Sequence, residues 1–185
     1  MPEPRPEPLR VAFVPGVTPT KWERIWRERR PRGRIDLTPM TQADALTALR
    51  DGTAHMALLR DTSATDDWHA IPLYREAAVV VAPKDSPVAD RAAPTLEDLA
   101  DETVLPVDLL DGTGEDAVAL VAANVGVAVM PQSVARAQSR KDVVARILAG
   151  GPDTGISLVW PIDDPHPLAD EFIGIVRGRT ANSSR

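Results

Sequence analysis

Residues 9–19 read LRVAFVPGVTP. Leu9–Val14 is a short apolar run closed by Pro15-Gly16, the pattern of a buried strand running into a turn. Thr18-Pro19-Thr20 then opens a helix, because Thr is a good cap and Pro suits a first helical turn. Trp22, Ile25, Trp26 and Arg29 follow at helical spacing, and the helix should end near Pro31–Gly33. Arg34–Met40 alternates and reads as a second strand. Thr41 caps a second helix with Leu46 and Leu49 on its apolar face, and Gly52 ends it. His55–Leu59 (HMALL) is a third strand. Strand–helix–strand–helix–strand in so short a stretch predicts a parallel sheet with packed helices, joined by right-handed crossovers. The loops after the three strands then open at one edge of the sheet, the edge where open α/β sheets bind ligands.

Trp68–Tyr74 and Ala77–Pro83 (AAVVVAP) read as strands, Thr95–Ala100 as a short capped helix, and the acid-rich stretch 101–116 as a loop. Glu115–Ala123 is a helix, Val127–Met130 a strand, and a helix starts at Pro131. Val143–Leu148 and Ile156–Trp160 are strands, and Pro167–Arg177 is a last helix. The leader, residues 1–8 (MPEPRPEP), alternates Pro with charge and is expected to be extended and disordered, as is the polar tail 179–185. It lacks the apolar core of a signal peptide, and no apolar run has membrane length, so a cytoplasmic location and no membrane contact are expected. The chain has no cysteine, which excludes disulfides, a thiol nucleophile and Cys-based metal sites. Its three histidines (His55, His69, His166) show no metal-ligand spacing, so neither a metal nor a cofactor is expected.

Four segments carry a family resemblance: LRVAFVPGVTP at 9–19, QADALTALRDGTAHMALLRD at 42–61, IPLYREAAVVVAPKDSPVA at 71–89 and DAVALVAANVGVAVMPQSVAR at 116–136. In this order they resemble the effector-binding (substrate-binding) domain of LysR-type transcriptional regulators. The resemblance implies an α/β, two-lobed fold of the type 2 periplasmic-binding-protein kind, with mixed, mostly parallel sheets and flanking helices. It implies a small-molecule effector in an interlobe cleft and closure about crossing strands. Lobe I is then expected at 9–82 and 159–178 and lobe II at 83–158, with hinges near Val81–Pro83 and Leu158–Pro161. Two departures stand out. The winged helix-turn-helix that usually precedes this domain has no counterpart here, which reads as a stand-alone effector-binding protein. Lobe II is shortened between Glu102 and Asp116.

The site candidates follow from the sheet edge. Gly16, Val17 and Thr18 precede a helix N-terminus, where N–H groups and the helix dipole favour an anion such as a carboxylate; a plain helix cap is the simpler alternative. Thr41 and Gln42 hold the same position after strand two, with capping alone as the alternative. Arg60 and Asp61 follow strand three, and Arg60 can pair a carboxylate bidentately, against the alternative of an exposed ion pair. Tyr74 reads as a core aromatic. No catalytic motif or converging acid–base pair is present, so no enzyme activity is expected.

Charge is unevenly spread. Residues 21–34 hold seven Lys and Arg against two Glu, within a chain of net charge −6, while residues 97–116 hold eight acids and no base. The overall acidity argues against direct nucleic-acid binding. In the resembled family the first helix meets lobe II of a second subunit, so a homodimer is expected, with Trp22, Trp26, Arg29 and Arg30 at its interface. The alternative to effector binding is a ligand-free protein–protein interaction module, contacting a partner through 101–116.

Overall fold

The computed structural model describes residues 7–178. The chain folds into two compact units. Unit one takes the chain up to Leu73 and from Ile156 onward, and unit two is Tyr74–Gly155.

Unit one begins with β1 (Leu9–Phe13), α1 (Thr20–Arg29), β2 (Ile35–Pro39), α2 (Gln42–Asp51) and β3 (Met56–Arg60). β1 pairs in parallel with both β2 and β3. The chain leaves the unit along β4 (Trp68–Glu76), returns along β9 (Thr154–Pro161), and ends in α6 (Ala169–Val176). The sheet order is β2-β1-β3-β9-β4, with β9 antiparallel to β3. β3 lies inside this sheet and all five of its residues are buried, which is why MALLR is a continuous apolar run and not an alternating one. α2 shows how local chemistry sets an element. Thr41 Oγ1 accepts the Asp44 N–H at 3.1 Å, Ala45, Ala48 and Leu49 face the core, and Gly52 closes the helix at φ 76°.

Unit two contains β5 (Ala78–Pro83), α3 (Pro87–Asp90), β6 (Val104–Leu105), α4 (Glu115–Ala122), β7 (Val127–Pro131), α5 (Gln132–Ala137) and β8 (Val143–Ile147). The sheet order is β6-β7-β5-β8. Each face of β5 has its own core. Val79 and Val81 pack with Val118, Val121 and Val134, while Val80 and Ala82 pack with Val88, Leu99 and Leu148. Both faces are covered, so AVVVA can be apolar throughout.

Several expectations need correction. α1 starts at Thr20 with Pro19 as its cap residue and no side-chain capping bond, so neither Thr18 nor Thr20 caps it. The stretch 101–116 is not wholly loop: Val104–Leu105 pairs in parallel with Val127–Ala128. Residues 95–100 form a single 3-10 turn at Glu97–Leu99, too short for an α-helix. The compact units divide at Leu73/Tyr74 and Gly155/Ile156. Val81–Pro83 is paired along β8, and Leu158 and Val159 are paired with β3, so sheet hydrogen bonds hold both proposed hinge segments inside a unit. Tyr74 is exposed, because it lies on β4 where the chain enters unit two. Glu7, expected to be disordered, bonds to the Arg10 guanidinium. The rest of the leader, 1–6, and the tail 179–185 lie outside the described residues.

Candidate functional site

The strand-end edge of unit one brings three loops together. After β1 the chain turns at Gly16, whose φ of 88° suits glycine. Val17 folds inward and is buried, its N–H bonded to Val14 O at 3.2 Å, while Thr18 is exposed. After β2, Met40 N–H returns to Phe13 O at 3.0 Å, which sets Thr41 and Gln42 beside the first loop. After β3, Arg60 stands at the last ladder position, opposite Ile156, and Asp61 takes the left-handed conformation at φ 45°.

Gln42 ties these loops together. Its Nε2 donates to Arg60 O at 2.9 Å and its Oε1 accepts the Arg60 N–H at 2.9 Å, so one side-chain amide stands in for a neighbouring strand. Thr62 Oγ1 also donates to Arg60 O, at 3.0 Å. The Arg60 side chain turns back across the edge, and its Nη2 donates to Pro15 O at 3.1 Å. Arg60 is 6% exposed, so the reading of it as an exposed ion pair is wrong. The edge therefore holds a guanidinium out of bulk water, beside the turn at Gly16 and the N-terminus of α2.

The sequence-derived candidates thus separate by role. Gly16, Thr18 and Arg60 line or shape the edge. Thr41 caps α2, and Gln42, expected to reach a ligand, has both ends of its amide committed to backbone. Gln42→Ala should remove the Gln42 acceptor of the Arg60 N–H and one of the two donors to Arg60 O, and cost about 1–3 kcal/mol. Gln42→Glu, which keeps one acceptor but sets a carboxylate oxygen against Arg60 O, should recover little of it. Urea unfolding followed by tryptophan fluorescence checks both.

α1 is only partly available to a second copy. Trp26 is fully buried, with its Nε1–H on Gly33 O at 2.9 Å, so its placement at a dimer interface is wrong: the ring is spent in the core. Arg30 pairs with Glu171 of α6 at 2.6 Å. Trp22 is half-buried against the same core. Two features were not visible in the sequence. The Ser133 hydroxyl of unit two is buried without a hydrogen-bond partner among the described residues, while its N–H donates to Glu76 Oε2 at 3.0 Å. Glu7, His55 and His166 meet in unit one, although the histidines show no metal-ligand spacing along the chain. No short-range pattern marks either feature. No helix among the described residues is long and apolar enough to cross a membrane.

Sequence comparison with curated proteins gives no match. Among solved structures, the BenM effector-binding domain with its effector benzoate superposes with a TM-score of 0.75 at 19% identity, covering 92% of this chain and 90% of that one. The OxyR regulatory domain from Pseudomonas aeruginosa gives 0.73 at 20% identity, covering 92% and 96%. OxyR from Corynebacterium glutamicum gives 0.74 at 22% identity, covering 94% of this chain and 64% of that one. At these identities the likeness concerns the fold, the mixed α/β, type 2 periplasmic-binding-protein-like arrangement of two sheets with flanking helices. The LysR substrate binding domain family matches residues 4–109 and 112–181, nearly the whole chain, and the protein belongs to that family.

Proposed function

We propose that this protein binds a small organic anion at the strand-end edge of unit one, serves transcription regulation in the cytoplasm, and does no chemistry on its ligand. The observation that carries this is Arg60, a nearly buried cation fixed between the loops after β1 and β2. A guanidinium at this edge presents a planar fork of donors whose geometry matches a carboxylate. The likeness to a domain that holds benzoate supports a carboxylate as the first ligand class to try.

The experiment is thermal shift with calorimetry over a panel of small carboxylates, benzoate included. A binding acid should raise the melting temperature. Arg60→Lys, which keeps charge but loses the planar fork, should weaken it about tenfold or more. Thr18→Val, an exposed change that leaves the fold intact, should weaken it by a smaller factor. If no acid in the panel stabilises the protein, the reading fails.

We also propose that two copies associate through α1, with Trp22, Arg29 and Arg30 at the contact. Charge attraction of this kind should weaken with salt, so the dimer fraction in sedimentation should fall as salt rises. A second reading has one observation in its favour: Val104 and Leu110 stand exposed in the acidic stretch of unit two, at 51% and 53%. That combination suits a protein partner with a basic rim. Replacing Asp101, Asp108 and Asp111 with Ser should then abolish its capture, and retained capture would count against this reading.

A further inference from the structure

Glu7, His55 and His166 come from three distant segments, and their ligand-type atoms lie within 4.8 Å of one another. The two imidazoles stack with centroids 4.3 Å apart and planes tilted by 30°. Two histidines and a carboxylate are a donor set that a transition metal accepts. The hydrogen bonds point elsewhere. A metal-bound imidazole carries its proton on the other nitrogen and donates it. Here His166 Nδ1 accepts the Leu168 N–H at 3.1 Å, and His55 Nδ1 accepts the Arg10 N–H at 3.1 Å. Arg10 Nη2 also lies 2.8 Å from His55 Nε2. A neutral imidazole has a single lone pair, so Arg10 alone offers this ring more donors than it can accept. Both rings are wanted as acceptors, and an acceptor imidazole is an unprotonated one.

We propose that His55 and His166 form an acid-released latch that holds the start of β1, with Glu7 before it, against the start of β3 and the start of α6. Protonation takes the remaining lone pair from each ring. Arg10 N–H and Leu168 N–H then lose their acceptors, and two cations face each other across the stack.

The neighbours decide at which pH this happens. From the segment before β1, the Glu7 carboxylate stands 3.9 Å from His55 Nε2 and favours the charged ring. From β1, Arg10 opposes it, held in place by Thr53 O at 2.7 Å and Gly52 O at 3.1 Å. The surface cavity that both rings line also carries Arg50 and Asp51 from the end of α2, Asp67 before β4, and Asp163 and Asp164 after β9. Burial is the largest influence on both rings and holds each below the ordinary 6.5. For His55, Arg10 and then His166 push the same way and Glu7 resists; for His166, Glu7 resists and Arg10 adds to the lowering. An unfolded chain therefore takes up protons that the folded one refuses. The stability supplied by the latch is complete above 6.5 and is lost as pH falls through the lowered folded values. Glu7, itself lowered chiefly by its bond to Arg10, gives way in a separate window below 4.5.

Long-range ¹H–¹⁵N spectra of the full chain from about pH 8 to pH 5 test the latch. His55 and His166 should titrate below 6.5, and His166 should show the Nε2–H tautomer at neutral pH. Amide protection at Arg10 and Leu168 should fall about tenfold or more between roughly pH 7.5 and 5.5. His55→Asn and His166→Asn keep an acceptor near the Nδ1 position but cannot titrate, so protection of the matching amide should become insensitive to pH over that range. Should either variant fail to fold, the wild-type titration decides alone. Rings that titrate at or above 6.5, an Nδ1–H tautomer at His166, or wild-type protection that ignores pH would each overturn the proposal.

Discussion

Trp26→Ala should destabilise unit one by about 3–5 kcal/mol, the range for truncating a large buried aromatic. Trp26 is fully buried on α1, meets Phe172 of α6 edge-on with ring centroids 6.1 Å apart, and donates its indole N–H to Gly33 O. Truncation thus opens a cavity between two helices and leaves a carbonyl short of its donor. α1 has little else to hold it down, since Trp26 is its only fully buried residue. Trp26→Phe keeps most of the volume and loses the Gly33 bond, so it should cost about 1–3 kcal/mol. Urea unfolding followed by fluorescence is the measurement. All four tryptophans (Trp22, Trp26, Trp68, Trp160) belong to unit one, so the signal reports on that unit alone, and the three that remain in the variant still do. An unchanged midpoint would show that α1 packs without its indole.

Gly126→Ala should strike unit two as hard, for a different reason. A Cβ at this position would stand 2.2 Å from Thr103 O and 3.1 Å from the Thr103 carbonyl carbon. The obstructing atom is backbone and already accepts the Val127 N–H at 2.9 Å, the bond that begins the β6–β7 pairing. A side chain could swing away; this carbonyl can move only by parting the strands. The cost should reach about 3 kcal/mol or more, at the upper end for overpacking. Gly52→Ala is the useful contrast. Its Cβ meets nothing within 4 Å, and only the φ of 76° resists, so about 1–2 kcal/mol is expected. Far-UV circular dichroism should register an earlier loss of structure in Gly126→Ala, and amide protection should fall around Val127. If Gly126→Ala proves no worse than Gly52→Ala, the close approach of Thr103 is wrong.

The alternation from Leu9 to Arg60 was legible because its determinants are local. Apolar spacing marks each element, Thr41 and Gly52 bracket α2, and Pro15-Gly16 ends the first strand region. The edge that gathers Gly16, Thr41 and Arg60 follows from that alternation, since parallel strands joined by right-handed crossovers end on one side. Where reading failed, the cue lay far away in the chain. Thr18-Pro19-Thr20 offered two hydroxyls for a cap, yet the helix starts with neither bonded. Val104–Leu105 sat among acids and became a strand only because β7 passes beside it.

The sequence by itself therefore determined the order and kind of the elements, the apolar faces they bury, and the edge at which their loops emerge. These depend on periodicity, capping and turn chemistry, which act over a few residues. Tertiary structure alone decided that Gln42 zips to the Arg60 backbone, that Arg60 is sheltered from water, that Trp26 belongs to the core, and that His55 stacks on His166. Each of these is a contact between residues distant in the chain. Its energy depends on the burial and donor geometry that packing supplies, and no spacing rule carries that information.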